Sequence, residues 1–196
     1  MDKVSYSLGL SLGNNLASSG IKDLTVADFV RGLTCVLEDA EPEITYEEAE
    51  EVLKTYFTKQ QQERFHDNKA AGQTYLEENG AREGVVTLPS GVQYEVLVEG
   101  KGPKPSPSDT VKCHYEGTRI DGQIFDSSVR RGEPATFPVN GVIQGWQEVL
   151  PMMPVGSKWR VVIPEEHAYG SHGAGQLIEP YMALIFEIEL LGIEGK

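Results

Sequence analysis

Apolar residues recur at helical spacing in the early part of the chain and at strand spacing in the later part. Thr45-Tyr46-Glu47-Glu48 is a capping box: the Thr45 hydroxyl can accept the Glu48 N–H while the Glu48 carboxylate reaches back. Ala49, Val52, Leu53, Tyr56 and Phe57 then fall on one helical face. No proline interrupts until Pro89, and Asn79-Gly80 offers a stop. A helix over 46–79 would be about 50 Å long at 1.5 Å per residue. Its middle, Thr58 to Asn68, is mostly polar, with Phe65 the only large apolar residue. Such a helix cannot lie wholly against one small core and reads as a stalk between two bodies. Two helices broken near Gly72 are the alternative.

Thr25 to Ala40 predicts another helix, with Phe29, Leu33, Val36 and Leu37 on one face and Thr25 as cap. In residues 3–18, Tyr6, Leu8, Leu10 and Leu12 alternate like a strand. Val4, Leu8, Leu12 and Leu16 also repeat at four, beside a small-residue stripe of Gly9, Gly13 and Ala17. The helical reading is preferred, since the small stripe admits a second helix backbone. Two short helices and one end of a third bury little alone. A second copy of the chain is the economical partner, and residues 1–40 are expected to form a homodimer.

Beyond residue 84 the period changes to two. Val92, Tyr94, Val96 and Val98 alternate after a Pro89-Ser90-Gly91 turn. Val111, Cys113 and Tyr115 do the same up to Gly117, and Asp121-Gly122 marks a hairpin. Lys158–Ile163 and Ala183–Leu191 read as further strands. Val142–Leu150 reads as one short helix stopped by Pro151. Only one of the 11 prolines precedes residue 84, which places the boundary there. The expected organisation is α+β: a helical domain over 1–84 including the long helix, then a domain over 85–196 of antiparallel sheet wrapped on one short helix.

Charge narrows the partners. The net charge is −13, and both parts are acidic, which argues against nucleic acid or an anionic membrane surface. No apolar run reaches a membrane-spanning length. The opening MDKVSYSLGLSLGNN lacks a basic region followed by an apolar stretch. The chain as written therefore reads as cytoplasmic, or periplasmic if a leader has been removed. Cys35 and Cys113 form no CxxC pair and are expected to be free, buried and apolar in behaviour.

Conventional catalytic patterns are missing. His66, His114, His167 and His172 lack helical metal-pair spacing, and there is no GxSxG elbow or P-loop. Gly170, Gly173 and Gly175 form a glycine-rich loop that opens no helix, and Glu165-Glu166 reads as a solvated turn. What stands out is a set of aromatics beyond residue 84: Tyr115, Phe125, Phe137, Trp146, Trp159, Tyr169, Tyr181 and Phe186. The separated motifs YxGxxxDGxxFDSS, VIxGWxE, MPVGSK, AYG and FEIELL surround them. Over roughly 88–193 these closely resemble the FKBP-type peptidyl-prolyl cis/trans isomerases. The SYSLGLSLG opening and long helix resemble the N-terminal dimerisation domain of the Mip-like bacterial subgroup.

The resemblance implies a five- or six-stranded FKBP-like half-barrel whose pocket walls are Tyr115, Phe125, Val142, Ile143, Ile178 and Phe186, with Trp146 as floor. It implies polar groups at Asp126, the Tyr169 hydroxyl and the Ile143 N–H, with Arg131 pairing with Asp126. Tyr115, Phe125, Asp126, Ile143 and Tyr169 would carry the reaction; Arg131, Val142, Trp146, Ile178 and Phe186 would bind substrate. Ala135 and Ala174 stand where an aromatic and a histidine are common, and Glu179 replaces the first proline of an Ile-Pro-Pro run. The implied activity is X–Pro isomerisation assisting protein folding, with no cofactor or metal. Unfolded proline-containing polypeptides would be the substrates, and macrolide inhibitors would bind. The alternatives are a non-catalytic holdase that captures prolyl segments, and a structural dimer scaffold that leaves the pocket set unexplained.

Overall fold

Asp2 starts the first helix by accepting the Ser5 N–H at 2.7 Å, an N-cap in a computed structural model that describes residues 1–21 and 23–195. Helix α1 spans Lys3–Ser18, α2 Val26–Leu37 and α3 Tyr46–Gly80. The helical reading of residues 3–18 holds, and α3 is continuous through Gly72. The Thr45 hydroxyl accepts the Glu48 N–H at 3.1 Å. Thr25 sits at the N-cap of α2, but its side chain makes no capping bond. The chain packs as two units, Met1–Tyr56 and Phe57–Lys196, dividing within α3. Neither α1 nor α2 contains a buried residue in a single chain. Cys35, expected to be buried, is for that reason only half-buried, its thiol 3.2 Å from the Ala40 carbonyl.

The second unit is built on one antiparallel sheet of strands β1 (Val85–Thr87), β2 (Gln93–Val98), β3 (Thr110–Arg119), β4 (Ile124–Ser127), β5 (Ala135–Pro138), β6 (Lys158–Ile163) and β7 (Leu184–Ile193). The order is β1-β2-β6-β7-β3-β4, with β5 also pairing with β3. Two short helices interrupt it, α4 (Ser128–Arg131) and α5 (Gln144–Val149). Alternation puts Val111, Cys113 and Tyr115 of β3 inward beside Ile188 and Leu190 of β7 and Trp159 and Val161 of β6. Trp146, Val149 and Leu150 close this core from the α5 side.

Four local expectations are corrected. β3 does not stop at Gly117, which pairs with both Phe186 and Asp126 before the strand continues to Arg119. Pro151 does not end a helix at Leu150; it lies in the first turn of a 3-10 segment, where its missing N–H costs nothing. Val96 and Val98 are exposed, because β2 leaves the core where its register with β6 shifts. Glu165 is not a solvated turn residue: it is buried, and Lys69 of α3 approaches its carboxylate at 3.3 Å.

The C-terminal half of α3 is not a free stalk. Phe65, Asn68, Gly72, Tyr75, Leu76 and Asn79 form one partly buried stripe, and Gly72 is buried against Ala183. Much of the docking is polar. The buried Asn79 amide donates to Gln93 at 2.8 Å, Gln93 donates to the Leu76 carbonyl at 2.8 Å, and Arg160 donates to the Tyr75 hydroxyl at 2.9 Å.

Candidate active site

The FDSS segment builds one wall of a pocket, each residue with a separate task. β5 pairs with β3 as far as Cys113 and β4 pairs from Glu116, so the intervening edge of β3 lacks a strand partner there. Ser128 fills this gap: its hydroxyl accepts the Tyr115 N–H at 2.7 Å and donates to the Tyr115 carbonyl at 3.2 Å. Ser127 caps α4 by accepting the Arg130 N–H at 3.2 Å. Asp126 accepts from the Tyr115 hydroxyl and from Arg131, and Arg131 also donates to the Tyr115 hydroxyl at 3.0 Å. Phe125 lies across β3 at Gly117, where a Cβ would come within 2.6 Å of its ring.

Five rings from four strands and one helix line the interior. Trp146 meets Tyr115, Phe137 and Phe186 edge-on at centroid distances of 5.4, 5.7 and 5.4 Å. Phe125 meets Phe186 edge-on at 5.5 Å. Val142 and Ile143, just before α5, are half-buried, and Ile178 is buried. The Val142 carbonyl accepts from Gln147 at 2.7 Å, and the Ile143 carbonyl accepts the first N–H groups of α5. The Ile143 N–H finds no acceptor among the described residues, nor does the Tyr169 hydroxyl find a partner. At the centre of the ring cluster the buried Trp146 Nε1–H likewise has no hydrogen-bond partner among the described residues.

Electrostatics hold the polar side in one protonation state. Burial pushes the Asp126 carboxyl up, but the hydrogen bonds from Tyr115 and Arg131 and the Arg131 charge outweigh it, leaving it below its ordinary value. Burial, then the Asp126 charge, raises the Tyr169 phenol. Tyr115 is raised by burial first and then by Asp126. Burial alone pushes the Cys113 thiol up to about 12, which leaves it inert. Among the described residues, no cluster of His, Cys, Asp and Glu could hold a metal ion.

Residues 102–191 match the sequence profile described as FKBP-type peptidyl-prolyl cis-trans isomerase, and residues 1–96 match that of the domain amino terminal to FKBP-type peptidyl-prolyl isomerase. The chain belongs to the FKBP-type peptidyl-prolyl cis-trans isomerases. It is 45% identical over 194 residues to the FKBP-type 22 kDa peptidyl-prolyl cis-trans isomerase of Escherichia coli strain K12, covering 97% of this chain and 94% of that one. It is 41% identical over 200 residues to the outer membrane protein MIP of Legionella longbeachae, covering 98% and 85%. The crystal structure of FkpA from Escherichia coli matches with a TM-score of 0.78 at 36% identity, over 97% of this chain and 95% of that one. Among the described residues, no helix is long and apolar enough to cross a membrane.

Of the ten expected site residues, Tyr115, Phe125, Trp146 and Phe186 share the ring cluster, and Asp126 and Arg131 join Tyr115 by hydrogen bonds; Val142, Ile143 and Ile178 pack in or against the core, and Tyr169 is partly exposed. Phe137 and Ser128 belong beside them and were not among the expected site residues. Phe137 stood in the sequence among the aromatics beyond residue 84, and β5 sets it opposite Val111 of β3. Ser128 was hidden, because its task depends on a gap between two strand pairings. Trp159 and Tyr181, by contrast, have other partners, Tyr94 at 4.4 Å and Phe65 at 5.5 Å. Ala135 and Ala174 are small residues packed against the core.

Proposed function

We propose that the box over Trp146 isomerises X–Pro bonds in unfolded or partly folded polypeptides by desolvation and orientation. The observation that carries this is the cluster of aromatic rings around Trp146, together with two donors, the Ile143 N–H and the Tyr169 hydroxyl, for which no acceptor is found among the described residues. The X–Pro bond rotates slowly because resonance must be lost, with a barrier of about 18–20 kcal/mol. In the twisted amide the carbonyl is less polar, so leaving water costs it less than it costs the planar form. An apolar pocket therefore favours the twisted state, and each ~1.36 kcal/mol of preference gives about tenfold in rate. The two donors would hold the flanking carbonyl oxygens. Asp126 would keep Tyr115 and Arg131 in place, with no proton transfer in the step.

The same box is suited to a macrolide that presents a proline-like ring. The exposed faces of α1 and α2, including Val4 at 68% and Leu37 at 75%, support pairing of two chains through residues 1–40. Isomerisation of a short Xaa-Pro peptide by the purified chain tests the reading. A rate equal to the uncatalysed one, with peptide still bound, would leave capture without catalysis.

A further inference from the structure

The loop between Tyr169 and β7 carries the Ile178 wall; the Tyr181 N–H closes its base on the Gly170 carbonyl at 2.8 Å, and two further sets of contacts hold it. Inside the loop, Ala174 and Ile178 exchange both backbone hydrogen bonds, at 2.8 and 3.2 Å. Gly173 makes this turn possible: its φ is +62°, and a Cβ there would lie 2.3 Å from the Ile178 carbonyl. Immediately after Ile178 the chain is held from outside, by α3. The Asn68 amide donates to the Glu179 carboxylate at 3.3 Å and to the Pro180 carbonyl at 3.0 Å. Arg64, one turn earlier on α3, reaches the same carboxylate at 3.5 Å. Phe65 packs on Tyr181 at 5.5 Å, and the Lys69 ammonium lies 5.8 Å from that ring.

Two features indicate that these contacts do more than cover surface. Tyr181 has a φ of +62°, a conformation an L-residue with a ring adopts only when its surroundings impose it. Open space lies on both sides of the contact, about 50 Å³ beside Gly72 and Tyr181 and about 210 Å³ beside Asn68 and Met182. Ile178 itself packs into the core, but these gaps leave residues 179–181 to be set against α3 largely by the discrete contacts. Glu179 stands in a position where a proline would stiffen the chain by itself.

We propose that Asn68, assisted by Arg64, is a positioning residue for the pocket: by clamping Glu179 and Pro180 it sets the Ile178 wall over the prolyl site. This rests on the reading that the Ile178-lined box is where the reaction occurs. The clamp lies within the second packing unit and is made by α3. The test uses the full chain and four variants: Asn68→Ala, Asn68→Asp, Glu179→Gln and Asn68→Asp/Glu179→Gln. Two readouts separate the clamp from the reaction. Amide hydrogen exchange over residues 170–183 reports the clamp, and kcat/KM on a short Xaa-Pro peptide reports its consequence. Asn68→Ala should speed exchange in that segment alone and lower kcat/KM by about 5- to 10-fold, with an unchanged circular dichroism spectrum. Asn68→Asp places two carboxylates together and should cost more. The double variant restores a bond between positions 68 and 179 but not the one to the Pro180 carbonyl, because a carboxylate has no N–H to donate, so it should recover part of the loss and lie between Asn68→Asp and the parent. Wild-type kcat/KM in Asn68→Ala overturns the proposal, as does a double variant no better than Asn68→Asp. An inactive parent whose 170–183 exchange still responds would instead overturn the pocket reading.

Discussion

At Phe125 the proposed pocket wall and the fold share one side chain. Its ring is half-buried, crosses β3 at Gly117 and meets Phe186 edge-on. Phe125→Ala should cost about 1–3 kcal/mol of stability, less than a fully buried Phe. It should also admit water and lower kcat/KM by about 10- to 100-fold. If the ring served only the core, binding of a planar prolyl ground state would fall in proportion to the rate; desolvation requires the rate to fall further. Asp126→Ala should lower the rate about 3- to 10-fold by freeing Tyr115 and Arg131. The pH profile follows from the same residues. The Asp126 carboxyl is lowered from its ordinary 3.8, so its contribution is present above 3.8 and lost as pH falls through the lower folded value. The Tyr115 and Tyr169 phenols are raised from 10.0, so their neutral-state contribution holds below 10.0 and is lost as pH rises beyond it. The rate should be flat between about pH 6 and 8, unaffected by EDTA and changed less than about threefold by His167→Ala or His172→Ala. A profile sloping through about pH 6.5 that disappears in one of these His variants would restore general-base catalysis.

At the scale of elements, strand periods were readable where apolar side chains do the packing, in β3, β6 and β7, and α1 and α2 were readable from apolar faces that a single chain leaves exposed. Readings went astray where a neighbour distant in sequence decided the outcome. Gly117 looked like a strand stop but is the space left for the Phe125 ring. Glu165 looked like a solvated turn but faces Lys69 of α3. The docking stripe of α3 was illegible because Asn68, Tyr75 and Asn79 hold it by hydrogen bonds, and these leave no mark on hydrophobic periodicity. Motif strings pointed to the proposed pocket residues because those residues lie close together in sequence; the Ser128 bridge and the Asn68 clamp join residues 13 and more than a hundred positions apart. The α3 docking has a consequence for dissection. A piece covering residues 57–196 should fold and isomerise a short peptide about as well as the full chain. A piece starting at residue 88 removes α3 and β1, uncovers Ala183 and Gln93 and leaves Glu179 without its partners. It should melt lower and, even when folded, show a lower kcat/KM. Equal stability and rate for the two pieces would show that α3 contributes nothing to the pocket.

For the whole molecule, the deciding quantity is what covers the first unit. Val4, Leu8, Val36 and Leu37 are 68, 67, 63 and 75% exposed, although they fall at helical core spacing. A helix pair this small, with no buried residue of its own, cannot offset the conformational entropy of ordering it. A second copy would supply the missing apolar partner without any new sequence. Light scattering at tens of micromolar should report twice the 21.5 kDa chain mass, and removal of residues 1–40 should give monomers. Leu8→Glu with Leu37→Glu should do the same in the full chain, since burying two carboxylates in an apolar interface costs more than such an interface returns. Dimerisation should matter little for a short peptide, which meets one pocket at a time. A refolding protein with several slow prolyl bonds would meet two pockets on the proposed dimer at raised local concentration. Monomeric variants should therefore retain their peptide rate and lose several-fold in catalysing proline-limited refolding. A monomeric parent, or variants that lose both activities in parallel, would disconnect the first unit from this role.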